Sequence, residues 1–132
     1  MKFLLDTDTC IYALKQHESV IRNLLSQSRE DVAVSVLTEA ELRAGAAKSS
    51  SSARTLRLLE NFLRPLAIIE FTSEDAAAYA VVRSRLERAG TPIGPLDTLI
   101  AAQAMARKLT LVTNNEREFR RVTGLSLENW SR

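Results

Sequence analysis

Cysteine and histidine are nearly missing from this sequence: Cys10 and His17 are the only ones in 132 residues. A single cysteine excludes an internal disulfide and points to a reducing compartment. Together the two residues are too few for a zinc centre built on several Cys and His ligands. They also exclude RNA cleavage by a pair of histidines. A Ser-His-Asp triad would have to use His17, which lies in the polar stretch Lys15-Gln16-His17-Glu18 with no nucleophile motif beside it, so His17 reads as a surface residue. Cys10, next to an apolar run, reads as a small buried hydrophobe. Aromatics make up only 5% of the chain, and no strand is rich in them. That disfavours stacking of single-stranded bases and favours recognition by shape and phosphate. Long apolar runs are missing too. Phe3-Leu4-Leu5 stops at Asp6, well short of the about 7–15 residues of a signal-peptide core, and nothing approaches the ~18 residues of a membrane span. The expected location is the cytoplasm, with no membrane partner.

What is present fits one domain over residues 1–132. The apolar share is 45% and the charged share 26%, as in ordinary globular chains. The formal net charge of +2 hides an uneven make-up: 14 Arg against 4 Lys, and 11 Glu against 5 Asp. The planar donor fork of arginine suits phosphate, so the chain leans toward nucleic acid.

Short apolar runs alternate with helical periods. Lys2–Leu5 predicts a buried strand, followed by a helix through Ile11–Leu14. Val20, Ile21, Leu24 and Leu25 predict a helix over Ser19–Ser26. Val32–Val36 is β-branched and predicts a strand. Thr38 then reads as an N-cap with Glu41 three residues on, opening a helix toward Lys48. The serine run Ser49–Ser52 predicts a loop. Leu56, Leu59, Phe62 and Leu63 mark a helix stopped by Pro65, and Leu66–Phe71 predicts a strand. Thr72 or Ser73 caps a long helix carrying Ala76, Tyr79, Ala80, Val82 and Leu86 on its apolar side. A rigid loop, Gly90–Pro95, leads into a helix over Leu96–Ala106, with Pro95 at the first helical position. Thr110–Thr113 predicts a strand and Glu116–Arg121 a short helix, and Trp130 folds back on the body. Strands alternating with helices give an α/β fold with a mostly parallel sheet.

In such folds ligands bind beyond the carboxyl ends of the strands, and that is where the acids fall. Asp6 and Asp8 follow the first strand, Glu41 comes shortly after the second, and Asn114 and Asn115 follow Thr110–Thr113. Asp97 lies in the first turn of a helix, where the macrodipole favours its ionised form. Oxygen ligands converging on one rim suit Mg²⁺ or Mn²⁺. Each also has a structural reading. Asp97 is a favourable first-turn acid, Glu41 completes a capping box with Thr38, and Asp8 and either asparagine can cap helices. Asp6 is the hardest to explain this way, since it follows an apolar strand directly and an unpaired buried carboxylate is costly.

Four segments carry a resemblance to a known family. They are Leu5-Asp6-Thr7-Asp8-Thr9-Cys10-Ile11-Tyr12, Val34-Ser35-Val36 with Glu39-Ala40-Glu41-Leu42-Arg43-Ala44-Gly45-Ala46, Gly94-Pro95-Leu96-Asp97-Thr98-Leu99-Ile100-Ala101, and Val112-Thr113-Asn114-Asn115-Glu116-Arg117-Glu118-Phe119. In this order and spacing, from Met1 to about Trp130, the chain resembles a PIN-domain nuclease of the VapC toxin type, in its enterobacterial subgroup. The resemblance implies a three-layer fold with a central sheet of about five strands and helices on both faces. It implies a Mg²⁺- or Mn²⁺-dependent endoribonuclease toxin held in check by a VapB-type antitoxin. The substrate implied is structured RNA, with the anticodon loop of initiator tRNA favoured. Asp6, Glu41 and Asp97 match the family's metal ligands. Asn115 matches a fourth catalytic position that is often Asp, a departure that weakens a second metal site and that Glu118, one helical turn on, could supplement. Asp8 matches a supporting position that is often Asn, and Thr7 and Thr113 match hydroxyl positions near the metal. Glu39 and Glu41 point to different helix faces, so only one reaches the site, and Glu41 is the choice. A homodimer, a larger hetero-oligomer with antitoxin, and contact with promoter DNA only through that antitoxin are implied as well.

The expected chemistry is in-line attack by water, leaving a 5′-phosphate and a 3′-hydroxyl. Arg43, Arg83, Arg85, Arg88, Arg117, Arg120 and Arg121 are the candidates for RNA phosphate contacts. Two other readings stand beside this one. Asp6-Thr7-Asp8-Thr9 is close to the nucleophile motif of haloacid-dehalogenase-type phosphatases, although no Lys follows Thr113 as that class requires. A PIN module that binds a partner without catalysis would carry the same surface.

Overall fold

The sheet is built from strands of two to four residues, and each of the first four leads through a polar residue toward a helix. The computed structural model describes all residues, Met1–Arg132. In chain order it runs β1 (Phe3–Leu5), α1 (Thr7–Leu14), α2 (Glu18–Leu25), a single 3-10 turn (Arg29–Asp31), β2 (Val32–Ser35), α3 (Val36–Lys48), α4 (Ser52–Leu63), β3 (Ala67–Ile69), α5 (Ser73–Arg88), α6 (Pro95–Ala106), β4 (Thr110–Val112), α7 (Glu116–Phe119) and β5 (Leu127–Glu128). The sheet order is β3-β2-β1-β4-β5, and every pairing is parallel. The chain winds outward from β1 through β2 to β3, then crosses to the other side of β1 for β4 and β5. The order therefore reverses between β1 and β4, where Leu5 pairs with Val112, and α/β sheets place ligands beyond the strand ends at such a point.

The period of two along each strand divides the core. Leu4, Ala33 and Leu111 point to one face and pack with Val82 and Leu86 of α5 and Ile100 and Ala101 of α6. Leu5, Val34 and Val112 point to the other, with Cys10 of α1, Val20 of α2, Leu42 of α3 and Leu59 of α4. This is the expected three-layer arrangement. Trp130 does fold back: it is buried and meets Phe3 edge-on, with ring centroids 5.3 Å apart. Cys10 is buried, as read from the sequence.

Several boundaries differ from the sequence reading. The helix after β2 begins at Val36, because Ser35 accepts a hydrogen bond from the Leu37 N–H at 3.2 Å and caps it three residues before Thr38. Thr38 is instead buried within α3. No Thr38–Glu41 capping box forms, which leaves Glu41 free for other work. His17 is not merely a surface residue: its Nδ1 accepts from the Val20 N–H at 3.4 Å and caps α2, with its ring against Tyr12. Strand β5 escaped the sequence reading, since a two-residue strand leaves no period to detect.

One buried charge ties α5 to α6. Asp75, 1% exposed, accepts from the Thr72 N–H at 2.8 Å and from Arg107 Nη2 and Gln103 Nε2 at 3.0 and 3.3 Å. Burial pushes its carboxyl up, but the bonds from Arg107 and Thr72 outweigh this and hold it below the ordinary range. A depressed carboxyl stabilises the fold fully above its ordinary pKa of 3.8 and loses that effect as pH falls below it. Asp75→Asn is expected to cost about 2 kcal/mol at pH 7, read by thermal or urea melts, with the difference shrinking below pH ~4.

Candidate active site

Asp6 follows β1 at the reversal point, and its backbone explains why it is fixed. Its N–H donates to the Val112 carbonyl of β4 at 3.0 Å, extending the β1–β4 ladder. Its side chain then caps α1, Oδ1 accepting from the Thr9 N–H at 2.8 Å. The capping role open to Asp8 thus belongs to Asp6, and Asp8 stands exposed in the first turn of α1. The Thr113 hydroxyl, buried just after β4, lies near the Asp6 carboxylate and favours its charged form. Thr113 Oγ1 accepts from the Asn115 N–H at 2.9 Å.

The structure brings Asp6, Thr7, Asp8, Glu41, Asp97 and Asn115 to one cavity of about 300 Å³, walled on one side by Gly94-Pro95-Leu96. Glu41 reaches it from α3 and Glu39 does not. Glu39 instead holds Arg43 in an ion pair of 2.9 Å. Thr7 steadies the approach of α3 through a 3.4 Å contact between its hydroxyl and that of Thr38. Asp97 enters from the first turn of α6, opened by Pro95 at its start. Glu118 lies beside Asp97 and is held there by Asn115, whose Nδ2 donates to Glu118 Oε2 at 3.0 Å. Neither Asn114 nor Asn115 caps α7 with its side chain. The Asn114 amide is buried with neither end hydrogen-bonded, a feature that nothing in the sequence signalled.

No Lys or Arg lines this cavity, so its negative charge is uncompensated. The electrostatics show the result. Burial, opposed by the Thr113 and Thr9 bonds, leaves the Asp6 carboxyl raised. Asp97 is pushed up to about 6 by burial and by the carboxylates of Glu118, Asp6 and Asp8. An all-oxygen donor set with surplus negative charge fits a hard divalent cation. As the side chains stand, no three acids converge on one point. Asp6 is capped onto α1, while Glu41 is exposed on α3.

The arginines fall into separate groups. Arg83 lines a cleft beside Pro92 and Pro95, and Arg85 and Arg121 line another between α5 and the segment after α7. Arg121 donates to the Pro92 carbonyl at 3.0 Å. Arg120 pairs with Glu116 at 3.4 Å, and Arg88 and Arg117 are exposed.

A carboxyl raised from 3.8 to about 6 weakens the fold as pH climbs between those values, the reverse of Asp75. Asp97→Asn removes that penalty. The full effect of such a rise is about 3 kcal/mol, reduced to about 1 kcal/mol because Asp97 is only half-buried. Without divalent cation, the variant is expected to melt higher than the parent at pH 7 and the same near pH 4.

The PIN domain family model matches residues 3–125 of this chain. The tRNA(fMet)-specific endonuclease VapC of Salmonella typhimurium is 38% identical over 130 residues, covering 98% of both chains. Ribonuclease VapC2 of Rickettsia felis is 40% identical over 134 residues, covering all of both. Among solved structures, VapBC2 of Rickettsia felis bound to a DNA fragment from its promoter superposes with a TM-score of 0.93 at 39% identity, over 98% of this chain and 99% of that one. The comparisons carry the nuclease reading and not the phosphatase one. Fold, cavity and relatives agree, and the chain belongs to the PIN-domain family, among its VapC ribonucleases.

Proposed function

We propose that this protein is the toxin of a toxin–antitoxin pair, an endoribonuclease that uses Mg²⁺ or Mn²⁺ to hydrolyse structured RNA. The observation that carries the proposal is the cavity at the β1–β4 reversal, which Asp6, Asp8, Glu41 and Asp97 line with no cationic side chain among them. Asp6, Asp97 and Glu41 would hold the cation, with Glu118 kept at its edge by Asn115. The chemistry such a cation supplies when bound is neutralisation of the scissile phosphate and acidification of water. The chain's own part is to present the donors. The cap on α1 fixes Asp6, and the turn of α6 aims Asp97. Thr113 lies near Asp6 and favours its ionised form, and such supporting groups commonly matter about 10–100-fold. An initiator-tRNA anticodon loop is the favoured substrate, supported by the tRNA(fMet)-specific name of the Salmonella relative.

The antitoxin surface follows from a second cavity. Ile11 and Leu14 of α1, Leu42 and Ala46 of α3, and Leu58 and Leu59 of α4 line a groove of about 540 Å³. Thr7 and Glu41 belong to both this groove and the acidic cavity. An apolar helix of a VapB-type antitoxin would lie in the groove and deliver a basic residue to the acids, as fits the VapBC complexes among the structural relatives.

Two results are expected. Purified protein with Mg²⁺ or Mn²⁺ cuts the tRNA to 5′-phosphate and 3′-hydroxyl ends, and EDTA stops it. Asp6→Asn abolishes cutting while the melt survives, because Asn caps a helix as well as Asp does. Mapped 2′,3′-cyclic phosphate ends, or full activity in EDTA, would overturn the reading. Leu58, 51% exposed, provides the antitoxin test. Leu58→Asp is expected to abolish co-purification with antitoxin and leave RNA cleavage intact.

A further inference from the structure

The acidic cavity has a neighbour that the proposed mechanism leaves unused. Across Pro95, which walls both, lies a cleft of about 430 Å³ between α5 and the 92–98 segment. Tyr79, Arg83, Glu87, Ile93, Pro95 and Thr98 line it. Its volume falls in the range of small-ligand sites. Its walls differ in kind. Tyr79 is half-buried, with its ring against the core, and Ile93 and Pro95 continue that apolar surface. Arg83 stands at the edge, its guanidinium 6.0 Å from the centre of the Tyr79 ring and its Nη1 donating to Tyr79 Oη at 3.1 Å. Glu87 holds the same guanidinium from the other side, at 3.5 Å. Arg83 is thus oriented from two sides, yet more than half of its side chain is exposed and several of its N–H donors stay free.

Tyr79 is one of only two tyrosines in a chain with few aromatics, and it lines the cleft that shares Pro95 with the acidic cavity. A flat ring, an oriented guanidinium and a carboxylate acceptor side by side suit one nucleotide: a base face on the ring, a phosphate on the arginine, and base N–H groups toward the carboxylate. Pro95 lines both the cleft and the acidic cavity, so the cleft is adjacent to the place where a phosphodiester would be cut.

We propose that the cleft is a nucleotide subsite of the ribonuclease, taking one unstacked ribonucleotide next to the scissile phosphate, with Tyr79 as its stacking platform and Arg83 as its phosphate clamp. The proposal rests on reading the acidic cavity as an RNA-cleaving centre, and it locates recognition beside that centre.

The test uses full-length protein, tRNA(fMet) and its anticodon stem-loop. Tyr79→Ala is expected to raise KM about tenfold with a much smaller change in kcat, and to weaken stem-loop binding about tenfold in an Asp6→Asn background that cannot cut. Tyr79→Phe keeps the ring and is expected to stay within about threefold of the parent. Arg83→Met is expected to weaken binding and flatten its salt dependence. Thermal melts separate these effects from misfolding. Unchanged KM and affinity in Tyr79→Ala, or lost antitoxin binding with RNA affinity intact, would overturn the subsite while leaving the nuclease reading untouched. If the parent protein itself cuts no RNA with either cation, the underlying reading fails first.

Discussion

The structure depends on one buried carboxylate. Asp6 follows β1, starts α1, and is tied to β4 by its N–H on the Val112 carbonyl. A carboxylate in that position is unfavourable, since burial disfavours its charge. The Thr9 N–H bond and the nearby Thr113 hydroxyl offset part of that cost. The remainder is left as a site that gains from a positive ion. The same residue therefore sets the helix start and the sheet junction, and is the least mobile member of the donor set.

The remaining acids are arranged around it by elements that differ in freedom. Asp97 is fixed by the first turn of α6. Glu118 is steadied by Asn115, and Glu41 stands exposed on α3. With four acids at one place, the rest of the chain carries four more positive charges than its formal +2. A small negative cavity on a positive body draws a polyanion toward the one region that repels it until a cation is present.

How much of this was legible in the sequence depended on whether the signal was local. Asp6 and Asp97 were legible because an apolar run followed by Asp, and an Asp two residues after a helix-starting Pro95, are local patterns with local causes. Thr38-x-x-Glu41 misled because Ser35, at the end of a buried strand, caps the helix first. A spacing rule cannot rank two competing caps without knowing where the strand ends. Asn115 was read as a fourth catalytic position; it lines the cavity, and its amide also donates to Glu118, a relation set by side-chain rotamers that spacing does not show. The cleft around Tyr79 joins residues of α5 to the segment from Pro92 to Thr98, and the scarcity of aromatics argued against stacking by count when the relevant quantity is where the ring lies.

Glu41 belongs to two cavities at once, the apolar groove and the acidic pocket. An inhibitor lying in the groove therefore need not fill the place where RNA binds. Anything seated in the groove lies within reach of one of the acids, so the apolar surface and the negative charge are presented to a partner together rather than as two separate faces.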